Sequence, residues 1–203
     1  MVLVREACAS LSAAFAAMRE AQQAGRGMTD TVLTGERAAW RGGAQDVRSV
    51  FGRDDELAPF TVPVAEPVDP LRIYLAVRHR GYWAEGFAVL SRAPRPAMHA
   101  AAAVLDAAIG LARPGTPHRD VARILAHELT SRFVRSAALR HAGHSIGLAL
   151  QEPLSVTEAS DGCFAAGEVY TVRVPDSRGA AIVSTMIAIT QDGHKVLWRG
   201  ADA

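Results

Sequence analysis

The sequence predicts an α+β fold in which the order helix, helix, strands is run through twice. Apolar residues recur at helical spacing at the start of each half, and alternating apolar runs of strand length close each half. A pair of matching breaks, Gly27-Met28-Thr29-Asp30 and Gly115-Thr116-Pro117, adds a sign of internal duplication. No linker divides the halves, so residues 1–203 read as a single domain. That length suffices for a sizeable core.

The first helix is predicted over Val4 to Gly25, with Leu11, Phe15 and Met18 on one face and Gly25-Arg26-Gly27 ending it. Its apolar stretch Ala7–Met18 has the look of a leader. The acid in Arg5-Glu6 and the continuation into Arg19-Glu20 favour a helix instead. Thr29 or Asp30 can cap a second helix that runs through Trp40 to Gly42-Gly43. Gln45 to Phe51 alternates like a strand. Asp54 to Pro70, with four prolines and five acids, reads as a surface loop; its Asp54-Asp55 pair is expected to be solvated. Leu71–Val77 and Tyr82–Leu90 flank Arg78-His79-Arg80-Gly81 as a hairpin.

In the second half, Pro96–Ala112 is predicted as a helix and Arg113-Pro114-Gly115-Thr116-Pro117 as a break. His118–Phe133 follows as a helix with Val121, Leu125 and Leu129 on one face. Strands are expected at about Gly147–Leu150, Glu168–Val174, Ala181–Thr190 and Lys195–Trp198, with Asp192-Gly193 as a tight turn.

Composition narrows the function classes. Hydrophobic residues make up 49%, which fits a packed globule. Lys+Arg 22 against Asp+Glu 21 leaves no basic footprint for nucleic acid, and no apolar run reaches the length of a membrane span. Two cysteines, Cys8 and Cys163, imply no disulfide framework and fit a reducing cytoplasm. Lys195 is the only lysine and alanine is abundant, a bias that suggests a GC-rich bacterial genome.

The most informative stretch is His144-Ser-Ile-Gly-Leu-Ala-Leu-Gln-Glu152-Pro153. It resembles the GHxIG…HE-P signature of the pita-bread family of methionine aminopeptidases, Xaa-Pro peptidases and creatinase. Four further segments follow in that family's order. Gly81-Tyr82-Trp83-Ala84-Glu85 is similar to its GYxxD turn, and Arg113-Pro114-Gly115 to its rPG element. Gly167–Arg173 is similar to GMVFTxE, and Ser184–Gly193 to EDTxxVTxDG. The resemblance implies a pita-bread fold, with duplicated halves around a curved antiparallel sheet, and a homodimer.

In the metal-dependent members of that family, two aspartates, a histidine and two glutamates hold two divalent ions. The resemblance carries these positions onto Tyr74, Glu85, His144, Arg173 and Ser184. A further, substrate-side histidine falls on Gln151, and the glutamate-proline is kept as Glu152-Pro153. Two dications held at about 2.0–2.2 Å need several anionic oxygens. Arg173 would instead bring a permanent positive charge. The expectation is therefore no metal and no other cofactor.

What the resemblance brings together is suited to acid/base chemistry without metal. His144 would exchange a proton near neutral pH. Glu85 would orient it or act as base, and Tyr74 would donate to an oxyanion. Arg173, Gln151 and Glu152 would bind a small, anionic substrate. A buried arginine needs an internal carboxylate or an anionic ligand, and Glu85 is the internal candidate. Ser184 reads as filler and Trp83 as core. His118, His127 and His194 read as solvated, and His141 as near enough to approach His144. Creatinase is the family's precedent for metal-free chemistry, although no first-half histidine here matches its proposed proton shuttle. The functional expectation is a metal-independent isomerase, cyclase, lyase or creatinase-like hydrolase of specialised metabolism. A non-catalytic binding module and a metallopeptidase with unusual ligands are the alternatives.

Overall fold

The computed structural model describes residues 1–52, 57–59, 61–132, 141–175 and 182–200. The expected loop pair Asp54-Asp55, the last residue of the helix ending at Phe133 and the strand start at Ala181 lie outside the described residues.

The first half comprises α1 (Val2–Gln23), α2 (Met28–Arg41) and strands β1 (Asp46–Gly52), β2 (Leu71–His79) and β3 (Tyr82–Leu90). The second comprises α3 (Pro96–Ile109), α4 (His118–Arg132) and strands β4 (Gly143–Ser145), β5 (Ser155–Val156), β6 (Val169–Pro175), β7 (Ile182–Ile189) and β8 (His194–Arg199). Each half forms an antiparallel sheet, ordered β1-β2-β3 and β5-β4-β6-β7-β8. The sheets meet where β3 lies against β7 and β6. Helix α1 covers β2 and β3, and α3 covers β6 and β7.

Sequence pattern explains the layering. Leu11, Phe15 and Met18 of α1 are fully buried with Leu71, Ile73 and Leu75 of β2 and with Trp198 of β8. Leu105 and Ile109 of α3 and Leu125 of α4 bury against Tyr170, Val172 and Ile187. Both faces of β2 are covered over most of its length, which is why it reads as a nearly continuous apolar run. Trp83 is buried as expected, with the guanidinium groups of Arg48 and Arg78 over its ring at 4.8 and 5.6 Å. The β2–β3 hairpin turns through Arg80 and Gly81, both at positive φ (48° and 89°). A two-residue loop of that hand requires this pair of conformations.

Several expectations are corrected. The strand anticipated at Gly147–Leu150 lies earlier, as β4, and 147–150 form bends. Gly143 permits this, because a Cβ there would stand 2.1 Å from the Thr171 carbonyl oxygen. Only a residue without a side chain lets β4 pair this closely with β6. Neither Thr29 nor Asp30 caps α2, whose N-cap is Gly27. The amides of Met28 and Thr29 bind the carbonyls of Glu66 and Val64 instead, and Thr29 Oγ1 accepts from the Val64 amide at 2.8 Å. A neighbouring loop thus satisfies the exposed helix start.

His118 is not solvated: it is 1% exposed and its Nε2 lies 2.9 Å from the Tyr170 hydroxyl. That hydroxyl donates to Glu168 Oε2 at 2.8 Å, so Nε2 of His118 is the donor to the phenol oxygen. The ring also packs edge-on to Phe164. His194 is half-buried, its Nδ1 3.2 Å from the Ala112 carbonyl oxygen. Only His127 of these three is solvated, at 79% side-chain exposure.

Candidate active site

Strands β2, β3, β4 and β6 and the turn after β4 converge on a pocket of about 280 Å³. It is lined by Tyr74, Glu85, Phe87, His141, His144, Leu150, Gln151 and Arg173. Five of the six residues singled out in the sequence therefore share it. Pairing explains the convergence: Ala76 faces Glu85 and Tyr74 faces Phe87 across β2–β3, while His144 faces Thr171 across β4–β6.

The centre of the site is the Glu85 carboxylate, 3% exposed. The Tyr74 hydroxyl donates to its Oε2 at 2.8 Å, and its Oε1 lies 3.4 Å from His144 Nε2. Burial pushes the Glu85 pKa up, against the lowering influence of the Tyr74 hydrogen bond, the Arg173 charge and a Thr171 hydrogen bond. The Tyr74 phenol is also raised, first by burial and then by the neighbouring Glu85. Its one proton is engaged with Glu85, so in this geometry Tyr74 steadies the carboxylate and does not reach toward an oxyanion.

His144 is 7% exposed, and its Nε2 lies 3.1 Å from the Leu150 carbonyl oxygen. A carbonyl oxygen only accepts, so Nε2 carries the proton. Nδ1 then holds a bare lone pair, and it is buried without a hydrogen-bond partner. Burial lowers the His144 pKa; the Leu150 hydrogen bond opposes this and the Arg173 charge adds to it. His141 is lowered by burial, then by Arg173 and His144. Both its ring nitrogens are buried without partners, and its ring centroid is 5.6 Å from that of His144.

Arg173 departs from the internal pairing considered in the sequence. Its guanidinium lies over the Phe87 ring at 5.1 Å, and among the described residues it forms no ion pair with Glu85 or another carboxylate. Gln151 stands exposed at the pocket rim. Glu152 lies outside this pocket. Its Oε1 accepts from the Leu148 amide at 3.1 Å, closing the turn, and it lines a separate cleft with Tyr82 and Ser145. Glu152 thus stands apart from the pocket that the other five share. Ser184 is not filler: fully buried, its Oγ accepts from the Phe87 amide at 2.7 Å and ties β7 to β3. Sequence reasoning did not place Phe87 and Leu150 in the site, although Phe87 lies two residues beyond Glu85, on the same face of β3.

The donor set does not fit a pair of divalent ions. The pocket offers one carboxylate, already engaged by Tyr74, with two imidazoles and a guanidinium. Among the described residues no group of three or more His, Cys, Asp or Glu side chains is placed to hold a metal ion. A fixed cation beside a dication is repelled by several kcal/mol even at an effective dielectric of about 20.

The sequence matches the Peptidase_M24 description, metallopeptidase family M24, over residues 2–191, and the chain belongs to that family. Among solved structures it is similar to the X-Pro aminopeptidase from Thermotoga maritima MSB8. The TM-score is 0.80 at 16% identity, covering 96% of this chain and 59% of that one. Dipeptidase PepE from Mycobacterium ulcerans gives 0.80 at 17% identity, covering 97% and 57%. Methionine aminopeptidase from Thermotoga maritima gives 0.68 at 13% identity, covering 95% and 94%. At such identities the likeness establishes the pita-bread fold. The chain spans about three-fifths of the length of the X-Pro aminopeptidase. No curated protein sequence matches it. Among the described residues no helix is long and apolar enough to cross a membrane.

Proposed function

We propose that this M24 chain is a metal-independent acid/base enzyme acting on a small, anionic metabolite. The observation that carries the reading is the fixed tautomer of His144. With Nε2–H held by Leu150 and flanked by Glu85, the unpaired Nδ1 is a base lone pair on a ring that lines the same pocket as Arg173.

In this reading His144 Nδ1 accepts a proton from the substrate and returns it to a neighbouring atom. The imidazolium formed meanwhile is stabilised by the Glu85 carboxylate beside Nε2, whose position Tyr74 fixes. Arg173 holds the anionic group and steadies negative charge that builds up on it. Phe87 and Leu150 supply apolar wall, and Gln151 lies at the mouth. Isomerisation, elimination and cyclisation all use these steps. Specialised metabolism of a GC-rich bacterium is the setting that the composition suggests.

The test uses chelator-treated protein and a library of small carboxylic acids in deuterium oxide, followed by mass spectrometry. A compound that gains deuterium or is converted by the wild type, and not by His144→Ala, supports the reading. Manganese- or cobalt-dependent cleavage of Met- or Xaa-Pro-peptides by the purified protein would overturn it.

A further inference from the structure

The pocket leaves a specific set of groups unanswered. His144 Nδ1 and both nitrogens of His141 are buried with no partner. The Arg173 guanidinium meets an aromatic face and forms no ion pair among the described residues. Buried polar atoms of native proteins are almost always hydrogen-bonded, so the pattern describes the ligand in negative. The Nδ1 lone pair of His144 calls for a donor. The N–H of His141 calls for an acceptor, and the half-buried Arg173 guanidinium adds a fixed positive charge that favours an anion.

The donor must be neutral. An ammonium group would meet the Arg173 charge, and the pocket's one carboxylate is already engaged by Tyr74 and flanked by His144. A hydroxyl has no such conflict. The ring centroids of His141 and His144 are 5.6 Å apart. The two rings are thus close enough for one small molecule to meet both, through hydrogen bonds of about 2.9 Å. Phe87 and Leu150 leave an apolar wall for the remainder of the molecule.

We infer that the pocket binds a small hydroxy carboxylate, with its carboxylate on Arg173 and His141 and its hydroxyl donating to His144 Nδ1. The inference rests on the same reading of His144 as a base, and it sets the ligand apart from any substrate that presents a free amino group at this point.

The experiment is a titration of chelator-treated, full-length protein carrying isotope-labelled histidine, with the ring resonances followed by NMR. Four probes share one carbon skeleton: 2-hydroxy-4-methylpentanoate, 4-methylpentanoate, 2-hydroxy-4-methylpentanamide and leucine. The hydroxy acid is expected to shift the His141 and His144 signals saturably and to bind at least about tenfold more tightly than the other three. Arg173→Gln is expected to abolish its advantage over the amide. Arg173→Lys, which keeps the charge and loses the fork, is expected to retain part of it.

Leucine or the amide binding as tightly as the hydroxy acid overturns the inference, as does the absence of any shift at the two histidines. Because the probe comparison runs on wild-type protein, a variant that fails to fold does not block it. The expected ranking without turnover of any compound would overturn the enzymatic reading alone. Turnover of an anionic substrate that lacks the hydroxyl would overturn the hydroxy-acid inference alone.

Discussion

Nε2 of His144 lies 3.1 Å from the carbonyl oxygen of Leu150, and that contact decides which nitrogen of the imidazole carries the proton. The turn after β4 folds back to place Leu150 there, held by the Glu152 side chain on the Leu148 amide and by the Glu152 amide on the Ser145 carbonyl. Glu152 therefore reaches the site through turn geometry.

The tautomer is directly measurable. Nitrogen-15 NMR at pH 7.5 is expected to show His144 with a protonated Nε2 and a pyridine-type Nδ1. Glu152→Ala removes the turn closure and is expected to mix the tautomers. A protonated Nδ1 in the wild type would remove the base from the proposed mechanism.

Tyr74→Phe takes the donor from a buried carboxylate oxygen 2.8 Å away. Denaturant unfolding should show a loss of about 1–3 kcal/mol. The Glu85 pKa should rise further, because the hydrogen bond that lowers it is gone. Carbon-13 titration of the Glu85 carboxyl checks this, and an unchanged or lower midpoint would contradict it.

Stability should fall on acidification from neutral pH. His118, His141 and His144 all have pKa values below the ordinary 6.5. The unfolded chain therefore takes up protons first, and stability is present above about 6.5 and lost as pH falls through the folded values. Glu85 acts in the opposite sense: its raised value favours the fold at low pH, and that contribution fades as pH rises from 4.5 through the folded value. Melting temperatures between pH 8 and 5 should decline, and the decline should be shallower in His118→Gln than in wild type.

Gly143→Ala would place a Cβ 2.1 Å from the Thr171 carbonyl oxygen, against backbone that cannot swing away. A loss of about 1–3 kcal/mol or more is expected, together with displacement of the neighbouring His144. Thermal melting reads the first and histidine NMR the second. Gly115→Ala has open space and serves as a control for backbone strain alone, since Gly115 sits at φ 84°.

Ser184→Ala removes the acceptor for the Phe87 amide, 2.7 Å away between the two sheets. A cost of about 1–3 kcal/mol is expected, together with loosening of Phe87 beneath Arg173. Ser184→Thr keeps the hydroxyl and should retain more stability than the alanine variant in the same unfolding assay.

The helices, the β2–β3 hairpin and the long strands of the second half were legible in the sequence, because each is written in local spacing and turn chemistry. Leu11, Phe15 and Met18 mark one helix face, and Arg80-Gly81 marks a left-handed turn. The family and its fold followed from five ordered motifs, the last ending at Gly193, and the M24 match over residues 2–191 agrees with them. The short strand β4 was misplaced, because its boundary depends on how closely Gly143 approaches Thr171, a contact between residues far apart in the chain. His118 was misread for a similar reason: only tertiary packing brings Tyr170 and Phe164 against its ring. The sequence by itself determined which chemical groups the resemblance assigns to the family's site positions. The tertiary structure decided their partners: Glu85 with Tyr74 and His144, Arg173 over Phe87, and Glu152 in a turn. Local periodicity fixes which face of a strand a residue occupies. Hydrogen-bond partners and burial depend on where distant segments come to rest, and no local pattern encodes that.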